Sequence, residues 1–495
     1  MTFILNFLPE LVLLAGALGL FVVTLGASQQ KLARTVALLV AFATLAAAAV
    51  SLSQQGELFS GAYRVDQFSQ LIKLVLAFGF ACIVLLSGQL PDIRDEVKPE
   101  YFLFLTLSVT GLVMLVSSVE IVSVVVALEL SSFPLYLLVP FRRERAEQKS
   151  QMESAIKYLM FGVAANGIMF FGLSYLYGLT GTTNLPLMAK GLAEVVPSRD
   201  PASLVHSPLA IAGLGLAFCG LYYKLAVFPF HFWSPDVYQG ASNETASLIA
   251  SLPKVAAVAV LIRFVSLASP ENPTIASMLT CLAVCSMFFG NLVALVQKDF
   301  KRLLGFSAIA HAGYAMMGFV AMNQAGYTAA IYYITGYLLM VLACFVVICQ
   351  VSRDGTNVAI AELAGLHRRS PLLAATLLVG VFALAGVPPF VGFMGKFSLL
   401  TAAYGQGHLA LVVIAVVNSA IAIYYYLQVV RQAVFGEAGG DQSPIALAWP
   451  TRALCVVLIV GIVALGVAPG PVLDTISSSL AFVTTPGPAT ALLGH

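Results

Sequence analysis

Ionisable side chains stand deep inside long apolar stretches of this sequence. Glu129 is the tenth residue of the stretch 120–140, and Lys254 is the twelfth of 243–265. An ion at the centre of a bilayer costs about 2.5–3.5 kcal/mol on insertion scales, so each such residue needs a partner or a purpose. Both lie too far from the ends of their stretches to reach water easily. These positions favour a functional role, and the alternative is a structural pairing with a neighbouring helix.

Two further lysines lie beside prolines that interrupt apolar stretches. Lys224 begins the segment KLAVFPFHF, in which Pro229 lacks a backbone donor and clashes with the preceding helical turn. The segment GVPPFVGFMGKF places two prolines and three glycines before Lys396. Irregular backbone at membrane depth is tolerated where it lines a cavity that water can enter. We therefore predict two broken helices, each with a functional lysine beside the break.

Such groups can carry protons. Burial lowers the pKa of a lysine and a nearby carboxylate raises it, so a Lys–Glu pair that separates and rejoins can release and recapture a proton. A row of these groups, linked by water, tyrosines and His311, predicts a proton relay across the membrane. For His311 a hydrogen-bonded core histidine is an equal alternative. Lys157 follows Glu153 by four residues, which fits either an entry to the relay or a helix-surface ion pair.

Other charged residues have simpler interpretations. Lys73, Arg263 and His231 lie nearer the ends of their stretches, where the sequence favours side chains that extend to the membrane interface. The basic residues between stretches are interpreted as solvated surface and as signals of orientation.

The composition identifies the elements that position these groups. The chain has 495 residues, of which 60% are hydrophobic and 10% charged, whereas soluble domains have about 45–50% and about 25%. This predicts an all-α polytopic membrane protein, because the stretches are continuously apolar and lack the alternation of membrane strands. We place fourteen spans at 4–26, 33–52, 66–88, 101–118, 120–140, 152–178, 208–230, 243–265, 274–296, 301–322, 325–351, 371–404 (interrupted), 408–430 and 451–473.

The joints between spans predict the orientation, because Lys and Arg accumulate on the cytoplasmic side. Even-numbered joints hold four basic residues: Arg64, Lys190, Arg199 and Arg263. Odd-numbered joints hold sixteen: Lys31, Arg34, Arg94, Lys98, Arg142, Arg143, Arg145, Lys149, Lys298, Lys301, Arg302, Arg353, Arg368, Arg369, Arg431 and Arg452. Both termini are therefore predicted on the non-cytoplasmic side.

Several functional classes lack support in the sequence. A net charge of +2 gives no basic footprint for nucleic acid. Cys281 and Cys285 share a helix face, but small core residues are favoured there over a metal site. Nothing resembles a catalytic triad, a dinucleotide fingerprint or an iron–sulfur spacing. We expect no cofactor or metal on this chain, and expect any coupled redox chemistry on another subunit.

Six segments together resemble the antiporter-like subunits N of respiratory complex I, the proton-pumping NADH–quinone oxidoreductase. The resemblance extends over nearly the whole chain. The segments are LPELVLLAGAL (Leu8 to Leu18), ALELSSFPLYLL (Ala127 to Leu138), ESAIKYLMFG (Glu153 to Gly162), YGLTGTTNL (Tyr177 to Leu185), FHFWSPDVYQGA (Phe230 to Ala241) and GVPPFVGFMGKF (Gly386 to Phe397).

The resemblance implies fourteen helices with two inverted five-helix repeats, each containing one broken helix. It divides the chain into a three-helix segment at 1–100, repeats at 101–265 and 266–433, and a C-terminal helix and tail at 434–495. A weak internal echo agrees, because a basic joint precedes each proline break by two or three spans.

The family pattern also implies residue roles. In it, Glu129 modulates the proton affinity of Lys224, and protons pass through Lys254 toward Lys396. One departure is the segment SNETA after YQGA, where relatives carry small residues and proline, so the role of Glu244 is open.

The resemblance further implies a non-redox subunit in the inner (plasma) membrane of a bacterium. Its partners would be a sister antiporter-like subunit, small membrane subunits and the lipid bilayer. NAD, flavin, iron–sulfur clusters and quinone would lie on partner subunits.

Two alternatives stay open. An Mrp-type cation/proton antiporter subunit or a membrane-bound hydrogenase subunit shares the charge pattern, although ESAIKYLMFG and FHFWSPDVYQGA favour subunit N. The second alternative is a scaffold protein whose buried charges only fix the packing of its helices.

Overall fold

The protein is mostly helical. The computed structural model describes residues 2–26, 29–143, 150–195, 208–268, 273–352, 354–436 and 443–484. The helices are α1 Thr2–Asn6, α2 Leu8–Thr24, α3 Gln30–Val50, α4 Gln67–Leu86, α5 Lys98–Ser117, α6 Ile121–Leu138, α7 Ser150–Thr180, α8 Leu185–Val195, α9 Pro208–Ala217, α10 Cys219–Leu225, α11 Trp233–Gly240, α12 Asn243–Val265, α13 Pro273–Ala294, α14 Phe300–Val320, α15 Gln324–Val351, α16 Leu366–Arg369, α17 Pro371–Ala385, α18 Val391–Gly405, α19 Leu409–Phe435, α20 Trp449–Val467 and α21 Gly470–Thr484. Strands β1 Gly56–Leu58 and β2 Tyr63–Val65 form an antiparallel hairpin.

Twelve helical segments in the described part of the chain are long and apolar enough to cross a membrane. Leu8–Thr24 and Pro371–Ala385 are shorter apolar helices. The membrane-spanning architecture predicted from composition is therefore confirmed.

The core lies around α12, α14 and α15. Every residue of α12 is buried, as is nearly every residue of α14. A helix that is apolar on all sides needs neighbours on all sides. These central helices carry Lys254, His311 and several tyrosines, so the core holds polar groups of the predicted relay.

The first predicted break lies in the helix that carries Lys224. Helix α10 ends at Leu225, and Ala226 adopts a left-handed conformation with φ of 60°. The chain is helical again only from Trp233, beyond Pro229. Backbone carbonyls of the last turn of α10 are thereby released from helical hydrogen bonding.

The second predicted break has the same form. Helix α17 ends at Ala385, and Gly386 has φ of 87°, a conformation that glycine adopts without steric cost. Helix α18 begins at Val391, after Pro388 and Pro389. Both breaks predicted from proline positions are confirmed.

Backbone bridges join odd-numbered joints to odd-numbered ones and even-numbered joints to even-numbered ones. This is expected when successive spans cross between two opposite faces of the protein. The isolated backbone bridges are Ile93–Arg142 and Asp299–Ala359 among odd-numbered joints, and Tyr63–Ser118 and Glu120–Asn184 among even-numbered ones.

The structure also corrects the predicted spans. The span predicted at 451–473 is two helices, because α20 ends at Val467 and α21 begins at Gly470. Pro469 stands between them, and proline is common just after a helix end. The span predicted at 208–230 omitted α11, which continues the first broken helix beyond its proline. The short helix α8 and the β-hairpin were not predicted.

Candidate functional site

Lys224 lies in the last turn of α10, buried against α6. Its Nζ donates to Ser131 Oγ at 2.8 Å and to Ser132 Oγ at 2.6 Å. Ser131 and Ser132 each also donate their hydroxyl to the Leu128 carbonyl, so their oxygens are oriented toward the amine. The amine is thus held by two neutral hydroxyl oxygens.

Glu129 lies on the same helix as these serines but pairs elsewhere. Its Oε1 accepts a hydrogen bond of 2.7 Å from Asn166 Nδ2 on α7, and the carboxylate is half-buried. Glu129 and Lys224 make no ion pair within 4 Å. The predicted pair is therefore present on adjacent helices in a separated arrangement.

Lys254 connects α12 to the first break. Its Nζ donates to the Leu225 carbonyl at 2.8 Å and approaches the Ala308 carbonyl at 3.4 Å. Leu225 is the last residue of α10 and the neighbour of Lys224 in sequence. The same ammonium lies 5.9 Å from the centre of the Tyr337 ring.

Lys396 makes the matching contact at the second break. Its Nζ donates to the carbonyls of Leu384 at 3.3 Å and Ala385 at 3.1 Å, in the last turn of α17. It lies 4.7 Å from the centre of the Tyr314 ring. Each break therefore has a buried lysine that donates to the carbonyls which the break releases.

His311 lies between these two lysine sites. Its Nδ1 is 2.6 Å from the Tyr333 hydroxyl and its Nε2 is 3.1 Å from the Tyr426 hydroxyl. Its ring centre is 5.1 Å from that of Tyr337 and 6.2 Å from that of Tyr314. Because these tyrosines pack against Lys254 and Lys396 respectively, His311 occupies the connecting position.

Lys157 is not brought into this row. It pairs with Glu153 at 2.6 Å and with Asp236 at 2.7 Å, and its side chain is 38% exposed. Asp236 on α11 also pairs with Arg302 at 2.6 Å. The surface pairing, one of the two interpretations of its spacing, is therefore observed, and the relay entry stays a prediction.

The predicted extension of three side chains to the interface is wrong. Lys73 is fully buried and pairs with Glu10 at 2.6 Å, and Arg263 is buried and pairs with Asp66 at 2.9 Å. His231 is 1% exposed and lies against the Phe228 ring. Carboxylates distant in sequence supply the partners of Lys73 and Arg263, which no local spacing could reveal.

Three basic residues of the odd-numbered joints, Lys98, Arg142 and Lys301, are likewise buried, contrary to the surface interpretation. Arg142 pairs with Asp92 and donates to the carbonyls of Gln239, Gly240 and Gly355. Lys301 is fully buried and donates to the Ala241 carbonyl at 2.7 Å. We call the face that carries the odd-numbered joints the basic-rich face. Arg142 and Lys301 bind its loops to the end of α11.

Sequence reasoning missed the residues that hold the predicted groups. Ser131 and Ser132 stand two and three residues after Glu129, and that proximity was a usable signal. Asn166 and the specific tyrosines had none, because they lie on other helices. Ser307 on α14 adds a hydrogen bond with Tyr426.

The buried cations divide into two kinds by their partners. Lys73 and Arg263 contact carboxylates, an arrangement that holds both charges fixed. Among the residues that the structure describes, Lys224, Lys254, Lys301 and Lys396 contact only neutral oxygens within 4 Å. A neutral amine as well as an ammonium can remain in such a site, since no carboxylate would be left unpaired. The second kind can therefore change protonation state with less disruption.

The fold and the site define a polytopic helical membrane protein with two broken helices and a row of buried lysines between them. A transmembrane family described as NADH:quinone oxidoreductase/Mrp antiporter matches residues 118–422. The chain belongs to this family, as its resemblance predicted.

Individual relatives cover nearly the whole chain. A protein of Opitutus terrae named NADH-quinone oxidoreductase subunit N 2 is 65% identical over 485 residues, which cover 98% of this chain and 99% of that protein. A chain of respiratory complex I from Thermus thermophilus is similar with a TM-score of 0.79 at 31% identity, covering 94% and 98%. A chain of the Mrp complex from a Dietzia species has a TM-score of 0.85 at 21% identity, covering 99% and 100%, which shows a shared fold.

Proposed function

We propose that this chain is a proton-translocating membrane-arm subunit of an NADH–quinone oxidoreductase. The observation that carries the proposal is the row of Lys224, Lys254 and Lys396, buried at two helix breaks with neutral oxygen partners. The relatives named subunit N and the complex I chain support the same function. The Mrp-type alternative rests on a likeness of fold at 21% identity, so subunit N is favoured.

Each site residue has a role in this proposal. Lys224 binds a proton beside the first break, and movement of Glu129 between Asn166 and Lys224 changes its affinity for that proton. Lys254 receives the proton at the same break, and His311 with its tyrosines transfers it toward Lys396. The short distances around Leu225 and His311 support this order. Water would occupy the remaining gaps.

We propose the full family architecture as well. Twelve long spans, α2 and the broken pair of α17 and α18 would together make fourteen crossings. The like form of the two breaks supports inverted repeats at 101–265 and 266–433, flanked by 1–100 and 434–495. The basic residues of the odd-numbered joints support termini on the non-cytoplasmic side.

The assembly follows from the proposed function. The chain would lie in a bacterial plasma membrane beside a sister antiporter-like subunit and small membrane subunits. NAD, flavin, iron–sulfur clusters and quinone would be bound by other subunits, and electron transfer there would drive the proton movements here.

The test measures protons translocated per NADH oxidised by the complete complex in proteoliposomes. We expect Lys224→Ala and Lys396→Ala to lower this ratio, because each interrupts the row. Lys190→Ala removes an exposed lysine of α8 and serves as the matched control. A complex that assembles with either relay variant and pumps at the full ratio would leave only a scaffold role for these charges.

A further inference from the structure

A cleft of about 520 Å³ lies on the face that carries the odd-numbered joints. Its lining includes Gln89, Ser352 and Pro444, which belong to three of those joints. Gln89 and Pro444 are exposed at its rim. Glu244, at the start of α12, also lines the cleft although it is 3% exposed. The cleft therefore connects the basic-rich face with a buried carboxylate.

The Glu244 carboxylate is only partly satisfied. The Ser242 hydroxyl and the backbone N–H of Glu244 itself contact it, whereas its Oε2 is buried and accepts no hydrogen bond, and no basic group lies within 4 Å of the carboxylate in the described part of the chain. A buried carboxylate oxygen that accepts no hydrogen bond is costly, so its retention calls for a use. Four titratable groups face it: Lys301 on α14, Asp92 in the joint between α4 and α5, Tyr101 on α5 and Cys349 on α15.

Polar groups lead from Glu244 along one face of α12. Glu244, Ser247, Ser251 and Lys254 follow at intervals of three, four and three residues, which places them within an arc of about 80°. The stripe extends over about 15 Å at about 1.5 Å per residue. Ser247 Oγ donates to the Glu244 carbonyl at 2.7 Å and Ser251 Oγ to the Ser247 carbonyl at 2.6 Å. The rest of this helix is almost entirely apolar at these depths.

We propose that the cleft is the proton entrance of this subunit and that Glu244 collects the protons for Lys254. The inference rests on the proposed function. The Glu244 carboxylate takes a proton from hydronium in the cleft and releases water. The proton then moves along the Ser247 and Ser251 hydroxyls, with water between them, to the neutral amine of Lys254. Glu244 returns to the carboxylate form and Lys254 becomes an ammonium, so charge and protons balance.

Glu244→Gln tests the inference in the complete complex in vesicles that expose the basic-rich face to the medium. The amide has the same shape but cannot transfer the proton. We expect pumping per NADH oxidised to fall by about tenfold at alkaline pH, where protons are scarce. This is less than the roughly 10²–10⁴-fold typical of a positioned proton-transfer group, because water supplies some protons directly. At mildly acidic pH pumping should recover, and Glu244→Asp should pump better than Glu244→Gln at alkaline pH.

Glu96→Gln removes an exposed carboxylate from the same face, outside the cleft, and is the matched control. The double variant Ser247→Ala with Ser251→Ala interrupts the stripe without changing Glu244, and it decides the question if Glu244→Gln fails to assemble. Its pumping should also fall, whereas Ser266→Ala, at the far end of α12, should pump like the parent.

The outcomes separate this inference from the function it extends. Parental pumping by Glu244→Gln and by the serine double variant, with a loss in Lys224→Ala, would overturn the entrance and leave the relay intact. An equal loss by Glu244→Gln at every pH would indicate a structural role and would also overturn it. Full pumping by Lys224→Ala would instead refute the proposed function itself.

Discussion

The ion pair of Lys73 and Glu10 allows a quantitative test of how buried charge is held in this fold. Both side chains are fully buried, with Nζ 2.6 Å from Oε1, and the Tyr63 hydroxyl donates to the same oxygen at 2.6 Å. Glu10→Leu leaves the ammonium without a partner, which costs about 3–5 kcal/mol. Removing both charges, by adding Lys73→Met, replaces the pair with apolar side chains, which ranges from about neutral to about 4 kcal/mol stabilising. The Tyr63 hydroxyl loses its Glu10 acceptor in both variants, which offsets about 1–3 kcal/mol of this gain.

Cys82 provides the assay, because it is buried on α4, the helix that carries Lys73. Its rate of modification by a thiol reagent reports how often α4 opens. A loss of about 3 kcal/mol raises the open population about 100-fold, since each 1.4 kcal/mol is about tenfold. The double variant should label at about the parental rate. A single variant that changes the labelling rate less than about threefold, or a double variant as labile as the single one, would show that this ion pair does not hold α4 in place.

Three further outcomes are expected. Arg142→Ala should reduce the amount of assembled subunit in membranes, because it breaks a buried ion pair with Asp92 at a cost of about 3–5 kcal/mol. Arg142→Lys should not restore the amount, because lysine cannot reproduce the several hydrogen bonds of the guanidinium. Gly386→Ala should lower proton pumping, because the added Cβ would lie 3.1 Å from Lys396 Cδ and because the backbone φ of 87° disfavours alanine. Gly407→Ala is the control for backbone strain, since Gly407 has a similar φ of 81° but no atom within 4 Å of the added Cβ. His311→Phe should lower protons per NADH while the complex stays assembled, and unchanged pumping would contradict its connecting position.

The sequence predicted the elements well, because the physical signals were local. Continuous apolar stretches specify membrane helices, and prolines at Pro229 and Pro388 specify where two of them break. The depth of Lys224, Lys254 and Lys396 followed from the same stretches. Their identification as buried groups needed no tertiary information.

The partners of those groups were beyond local signals. The pairs of Lys73 with Glu10 and of Arg263 with Asp66 join residues 63 and 197 positions apart, so they depend on helix packing. Lys301 was predicted to be a surface charge because it borders a joint, yet it is fully buried and donates to the Ala241 carbonyl. Charge near the end of a span therefore does not by itself predict exposure.

Proton transfer through this subunit requires that water joins the buried titratable groups into one path. A high-resolution map of the complete complex in lipid would test it directly, by locating ordered water between Lys224, Lys254, His311 and Lys396. We expect a continuous series of waters and hydroxyls linking these four side chains. Apolar side chains packed without water between Lys254 and Lys396 would contradict it.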